Sequence, residues 1–172
     1  VPVEDREVSK ELEKSFKKKG IKVLTSSEVI KSKVNDSGVE LDVKSQNGDI
    51  IKINSEIVLS AVGIKSNIEN IGLEEIGINI ENDKILVDEF YQTSVKGYYA
   101  IGDVVKGQSL AHVASAEGIL CVEKISGIDV SPLDYDNVPG CTYCSPEIAS
   151  VGLSEEEALK KGYNIKVGKF PF

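Results

Sequence analysis

The sequence predicts an α/β fold, and three observations carry that expectation. Residues 5–19 show an amphipathic helical pattern and lead into strand-like runs around Asn47-Gly48. Two short, almost wholly apolar runs, 56–62 and 98–101, each close on a glycine. Residues 109–125 form a long helix-compatible run. A helix, then a meander of strands, then a buried strand is the pattern of one half of an α/β domain, because a sheet must bury its apolar face under a second layer.

Each element has its own reason. In 5–19, Val8, Leu12 and Phe16 recur every four positions, acidic residues come early and Lys17-Lys18-Lys19 comes late, just before Gly20. That order complements the helix dipole and supplies a C-terminal cap. The lysine run reads as a solvated last turn, with an anion site as the alternative. Residues 21–24 predict a short strand, and 29–34 and 39–43 alternate as two more. Asn47-Gly48 predicts a type I′ turn joining 39–44 to 49–53, since both central residues of that turn need positive φ. The run 56–62 predicts a buried strand ending at Gly63. Residues 64–82 read as irregular, with a helical turn near 67–71, and 84–87 as a short strand. Tyr98-Tyr99-Ala100-Ile101 predicts a second buried strand. In 109–125 the residues Leu110, Ala111, Val113, Ala114, Ala116, Ile119, Leu120 and Val122 leave little polar surface. A helix that is apolar nearly all round belongs inside a larger body.

After Gly127 the composition shifts. Pro132, Asp134-Tyr135-Asp136-Asn137 and Pro139-Gly140 read as a linker. Strands are expected near 141–143 and 149–152, then a helix over 155–161 with Ser154 and Glu157 as a capping box, and a strand from 165 to 170. No internal repeat or low-complexity segment stands out.

Composition narrows the functions. Of 172 residues, 41% are hydrophobic and 28% charged, which suits a soluble globular chain. The net charge of −8 repels phosphate backbones, so nucleic acid is not an expected partner. No apolar run approaches the roughly 20 residues of a membrane span, and the polar start Val1-Pro2-Val3-Glu4-Asp5-Arg6 does not read as a signal peptide. There is no Met or Trp, and both ends read as cuts within a longer protein, a processed small protein being the alternative. Three cysteines without a secretory signal suggest reduced thiols.

The phrase that carries chemistry is Thr93-Ser94-Val95-Lys96-Gly97-Tyr98-Tyr99-Ala100-Ile101-Gly102-Asp103. A buried strand would deliver Gly102 and Asp103 to its C-terminal end, where open α/β sheets bind ligands. Gly102 permits close approach of a ligand to the backbone. Asp103 offers a carboxylate to sugar-like hydroxyls. A helix starting near Ser109-Leu110-Ala111-His112 would aim its free N–H groups and positive dipole end at the same ligand. A flavin, with a hydroxylated ribityl chain and negative charge on the reduced ring, suits that pairing.

This phrase resembles the second flavin-binding motif of the pyridine nucleotide–disulfide oxidoreductases. Flanking phrases narrow the resemblance to dihydrolipoamide dehydrogenases. They are Val1–Lys10 with its following helix, Ser60-Ala61-Val62-Gly63, Asn70-Ile71-Gly72-Leu73-Glu74, Leu110-Ala111-His112-Val113-Ala114-Ser115-Ala116-Glu117-Gly118 and Ser145-Pro146-Glu147-Ile148-Ala149-Ser150-Val151-Gly152. The resemblance covers the entire chain and implies a partial two-dinucleotide-binding-domain flavoprotein. Residues 1–62 would be the second half of an NAD-binding domain. Residues 63–137 would be the returning C-terminal segment of an FAD-binding domain, and 138–172 the beginning of an α+β dimerisation or interface domain. The implied cofactors are FAD and NAD. Asp103 would bind the ribityl or pyrophosphate portion of FAD beside Gly102. Ser109, Leu110, Ala111 and His112 would line the flavin, and the backbones of Val29 and Gly63 would lie against NAD.

The resemblance further implies a homodimer that reoxidises the dihydrolipoamide of lipoyl domains in 2-oxo acid dehydrogenase complexes. The compartment would be the bacterial cytoplasm or the mitochondrial matrix. One departure is Ile64-Lys65, where many members of the family have Arg directly after the residue matching Gly63. That puts the electrostatics on the nicotinamide side in question.

Much of the family's equipment has no counterpart here. The redox cysteine pair, with four residues between its cysteines, and both glycine-rich fingerprints are missing. The family's catalytic His–Glu pair has no match, so no catalytic residue is expected and the chain alone should be inactive. His112, the only histidine, is expected to pack or contact flavin, with general base as the alternative. Cys141-Thr142-Tyr143-Cys144 has a thioredoxin-like or half-zinc spacing. Without a second pair these read as structural thiols, and Cys121 as a small core hydrophobe. The competing functional readings are a non-catalytic α/β assembly fragment and a segment of a mercuric-reductase-like or transhydrogenase-like flavoprotein.

Overall fold

A computed structural model of the protein describes residues 1 and 3–170, so Pro171 and Phe172 lie outside the described residues. The chain divides into two compact units, Val1–Val62 with Tyr143–Ile148, and Gly63–Thr142 with Ala149–Phe172.

The first unit opens with α1 (Arg6–Lys18). The Asp5 carboxylate caps it by accepting the Glu7 N–H at 2.9 Å. At the other end the Gly20 N–H donates to Lys17 O at 3.1 Å and the Ile21 N–H to Phe16 O at 3.0 Å. Gly20 takes φ +79° there, a left-handed cap that favours glycine. Of the expected apolar stripe only Leu12 is buried; Val8 is exposed and Phe16 half-buried. The lysines stay on the surface, where Lys17 pairs with Glu13 at 2.6 Å and Lys19 donates to Ser145 O at 2.6 Å.

Three strands follow as an antiparallel meander, β1 (Glu28–Asn35), β2 (Gly38–Lys44) and β3 (Ile50–Ser55), in the order β1-β2-β3. A bulge between Val29 and Lys31 offsets the register of β1. Central β2 buries Leu41 and Val43, while every residue of β1 is exposed. The Asn47-Gly48 turn differs from expectation. The Gly48 N–H donates to Ser45 O and the Ser45 N–H to Asp49 O, and only Gly48 has positive φ. That is a three-residue loop ending in a left-handed glycine, which asks nothing unusual of Asn47.

Two expected strands of this unit are absent. Residues 21–24 join no ladder. Residues 56–62, expected as a buried strand, are irregular and join no sheet, with Ile57 84%, Leu59 88% and Val62 96% exposed. A strand exists only through its neighbours, and among the described residues no strand pairs with this run.

The second unit is built from short pieces around Ile68, Ile78 and Ile85, with Leu73, Ile80, Val87, Val95, Ala100 and Val104 packed against them. β4 (Ile80–Glu81) and β5 (Lys84–Ile85) form a hairpin through Asn82 and Asp83, both with positive φ (49° and 66°). The two-residue turn expected at Asn47-Gly48 thus occurs here, on Asn and Asp, the non-glycine residues that tolerate this region best. Residues 84–87 are strand only at 84–85, with isolated bridges Ile85–Val105 and Val87–Thr93 beyond. Residues 98–101 are likewise not a buried strand. They contribute one bridge, Gln92–Tyr99, and Tyr98, Tyr99 and Ile101 are exposed. No helical turn forms at 67–71; Glu69-Asn70 is a simple turn.

A 3-10 turn, Gly102–Val104, packs against α2 (Ala111–Ile125). The helix starts two residues later than expected, so Ser109 precedes it and Leu110 is its extended N-cap residue. Its buried face is Val113, Glu117 and Cys121; Ile119, Val122 and Ile125 on other faces are exposed. A second 3-10 turn, Tyr135–Asn137, is capped by the Asp134 carboxylate. β6 (Gly140–Thr142) pairs with β7 (Ile148–Ser150). α3 (Glu155–Lys160) carries the expected capping box, with the Glu157 N–H on Ser154 Oγ at 3.3 Å and the Ser154 N–H on Glu157 Oε2 at 3.1 Å. That reciprocal bond holds the Glu157 carboxyl below the usual range. Residues 165–170 form no strand.

Candidate functional site

The turn at Gly102-Asp103 is fixed from both ends by residues of the second unit. Gly102 has φ +73°, and an added Cβ would sit 3.2 Å from Ala114 Cβ, so glycine is required for both conformation and approach. Its N–H donates to Glu117 Oε2 at 2.6 Å. The Asp103 carbonyl accepts from Lys84 Nζ at 2.5 Å and from Ser66 Oγ at 3.1 Å. Lys84 also donates to Ser66 Oγ at 2.9 Å, and the Ser66 N–H donates to Asp83 Oδ2 at 2.6 Å. The Asp103 side chain is exposed. Backbone restraint with a free carboxylate is how a protein prepares an acceptor for an incoming hydroxyl.

Glu117 was not singled out by sequence reasoning. It is 1% exposed, in the middle of the buried face of α2. Its second oxygen accepts the Tyr135 hydroxyl at 2.6 Å, and Tyr135 in turn meets the Tyr91 hydroxyl at 3.2 Å. A buried charge is costly unless hydrogen-bonded, and bonds to a charged group offset that cost by about 1.5–3 kcal/mol each. Burial, then the bond to Glu117, pushes the Tyr135 phenol far above its ordinary 10.0, so it remains a neutral donor. Burial also raises the Tyr91 phenol and the Cys121 thiol, the latter helped by the charge of Asp88. The signal in the sequence was a lone acid four residues from both Val113 and Cys121, on an otherwise apolar face.

The start of α2 supplies the other half of the expected site. Leu110 makes no side-chain capping bond, so the N–H groups of the first helical turn stay available. His112 Nε2 lies 3.0 Å from Pro139 O. Because a carbonyl only accepts, Nε2 is the donor in this contact. Gly102, Asp103, Ala111 and His112 therefore belong to one turn–helix arrangement, with Leu110 at its edge and Ser109 ahead of it.

The two residues expected near NAD are placed separately. Val29 lies on exposed β1, opposite Val43. Gly63 has φ +141° with open space where a Cβ would be. At the position that departs from the family, Ile64 is exposed and Lys65 pairs with Glu69, whose hydrogen bond, and then its charge, raises the ammonium above its ordinary value.

Cys121 is buried, Cys141 is exposed on β6, and the Cys144 Sγ lies 3.0 Å from Pro146 O. Among the described residues, no group of three His, Cys, Asp or Glu side chains is placed to hold a metal ion. Among the described residues, no helix is long and apolar enough to cross a membrane.

A glycine–aspartate turn beside an uncapped helix start points to the class of nucleotide-cofactor proteins. Residues 1–118 match the family described as pyridine nucleotide-disulphide oxidoreductase, and residues 138–172 match the dimerisation domain of that family. The chain belongs to this family. Over its whole length it is 46% identical to dihydrolipoyl dehydrogenase of Bacillus subtilis and 44% identical to that of Zymomonas mobilis. It is 40% identical to the mitochondrial dihydrolipoyl dehydrogenase of Pisum sativum. It spans 36%, 37% and 34% of those three proteins, so it corresponds to about a third of each. The crystal structure of LpdA from Mycobacterium tuberculosis superposes with a TM-score of 0.81 at 26% identity, covering 92% of this chain and 34% of LpdA.

Proposed function

We propose that these residues are a segment of an FAD-dependent dihydrolipoyl dehydrogenase. The protein would reoxidise protein-bound dihydrolipoamide with NAD+ in 2-oxo acid dehydrogenase complexes. The observation that carries the reading is the exposed Asp103 carboxylate, on a turn whose backbone is bound at both ends, beside the open N-terminus of α2. Those residues fit the hydroxylated ribityl or pyrophosphate portion of FAD, and Gly102 allows the turn that presents Asp103 to lie close against α2. When bound, FAD supplies the two-electron relay between the dihydrolipoamide side and NAD+. Asp103 accepts hydroxyl hydrogen bonds and orients the chain of the cofactor. The first N–H groups of α2 favour negative charge, with Ser109, Leu110, Ala111 and His112 lining the flavin.

Val29 and Gly63 would contribute backbone to the NAD side. The domain assignment follows, with 1–62 in the NAD-binding domain, 63–137 in the FAD-binding domain and 138–172 opening a dimer interface. The working protein would be a homodimer that meets lipoyl domains, in a bacterial cytoplasm or a mitochondrial matrix.

The 172 residues supply no matching redox cysteine pair and no glycine-rich fingerprint, so the chain alone should turn over nothing and bind FAD weakly or not at all. Flavin titration tests both halves. In the holoprotein carrying these residues, Asp103→Ala should weaken FAD binding by about tenfold or more, the scale of a lost bond to a charged group. A tight one-to-one FAD complex of the isolated chain would overturn the expected inactivity. Full flavin retention by Asp103→Ala would overturn the site.

A further inference from the structure

We propose that Glu117 is a positioning residue for this cofactor site: its buried carboxylate fixes the Gly102–Val104 turn so that Asp103 is presented to the ligand. The inference rests on the reading of Asp103 given above. What orients the exposed Asp103 side chain is the backbone that carries it, so whatever holds that backbone sets where the carboxylate points. One end of the turn is held by Lys84 and Ser66 on the Asp103 carbonyl, the other by Glu117 on the Gly102 N–H.

The approach that permits this contact is built into the sequence. A Cβ on Gly102 would meet Ala114, and a Cβ on Gly118 would sit 3.1 Å from Ile101 Cδ1. Gly102 thus makes room for Ala114 and Gly118 for Ile101, so the turn and α2 lie close enough for Glu117 to reach the Gly102 N–H. The two Glu117 oxygens are not equivalent in their demands. The Gly102 N–H can only donate. The Tyr135 hydroxyl can donate to Glu117, or reverse and accept while donating to Tyr91. A glutamine at 117 can therefore satisfy both neighbours, with its oxygen on Gly102 and its amide on Tyr135, whereas an apolar residue strands the Gly102 N–H and leaves Tyr135 only its contact with Tyr91.

That asymmetry gives a test that a purely structural role would fail. FAD affinity, read by flavin fluorescence in the holoprotein, is measured beside the melting temperature of each variant. Glu117→Leu should weaken FAD binding by about tenfold or more, and Glu117→Gln should stay within about threefold of the native protein. Cys121→Ala, a truncation one turn further along the same buried face, should lower the melting temperature while leaving FAD affinity intact. Should Glu117→Leu not fold, Glu117→Asp, one methylene shorter, takes its place. It should weaken FAD binding at least about threefold, because the bond to Gly102 cannot be kept without moving the turn. Affinity loss no greater in Glu117→Leu or Glu117→Asp than in Cys121→Ala, or a Gln variant as weak as the Leu variant, overturns the positioning role. If Asp103→Ala loses affinity while the Glu117 variants do not, the positioning role alone falls. If Asp103→Ala also binds normally, the site reading falls with it.

Discussion

Residues 56–62 and 98–101 look alike in the sequence, each an apolar run closed by a glycine, yet they end in opposite circumstances. The second run leads into a turn held by Glu117, Lys84 and Ser66, and its Ala100 packs against the Ile68, Ile78 and Ile85 core. The first is unpaired and almost fully solvated, and Gly63 has open space around it. The difference teaches that apolar patterning states what a segment needs, not whether its neighbours lie within the same 172 residues. A run that wants strands on both sides remains a solvated chain when they are not there.

The comparison can be broken by mutation, and the core gives the largest effect. Ile85→Ala should cost about 2–5 kcal/mol in the second unit, as large-to-small changes in a packed core do, while Leu59→Ala should stay within about 0.5 kcal/mol. Denaturant melts of the two variants check this, and equal losses would mean that 56–62 is packed after all.

The paired glycines sharpen the contrast. Gly102→Ala should cost about 1–3 kcal/mol from its left-handed backbone, plus crowding against Ala114. Gly63→Ala is also strained at φ +141° but meets no neighbour and follows an unpaired run that can adjust its backbone, so it should destabilise the isolated chain less in the same thermal melts.

The smallest effect is a pH dependence confined to the second unit. The Tyr135 phenol is raised in the folded chain, so the folded form holds its proton where the unfolded form has lost it. The contribution is complete below about pH 10 and declines as pH rises beyond the unfolded value, since the unfolded state then binds fewer protons. Alkaline melts should show that decline, and Tyr135→Phe should remove its Tyr135 part. An unchanged slope in that variant would assign the alkaline loss elsewhere.

Local signals were the legible ones. The helix over 5–19 with its cap at Gly20, the meander, the Ser154–Glu157 box and the body of α2 all depend on residues close in sequence, and all formed. The Asn47-Gly48 turn was found in place but with another geometry, because a dipeptide does not fix loop length. The true paired positive-φ turn at Asn82-Asp83 lacks glycine and went unread. At the candidate site, Gly102, Asp103 and the start of α2 were readable from their order. Glu117, Lys84, Ser66 and Tyr135 were not, since their roles come from contacts 15 to 37 residues apart.

Tyr135 sits outside any long helix or strand, in the connection that follows α2, and its backbone carbonyl also receives Gln108 Nε2 at 3.3 Å. That connection acts as a fastener as well as a tether. A protease nick between residues 128 and 134 would leave every residue of the Gly102–Val104 turn uncut, yet it would release the strap that helps hold Glu117 in place. Damage to the proposed cofactor site could then begin in a connection that contributes no residue to the Gly102–Val104 turn.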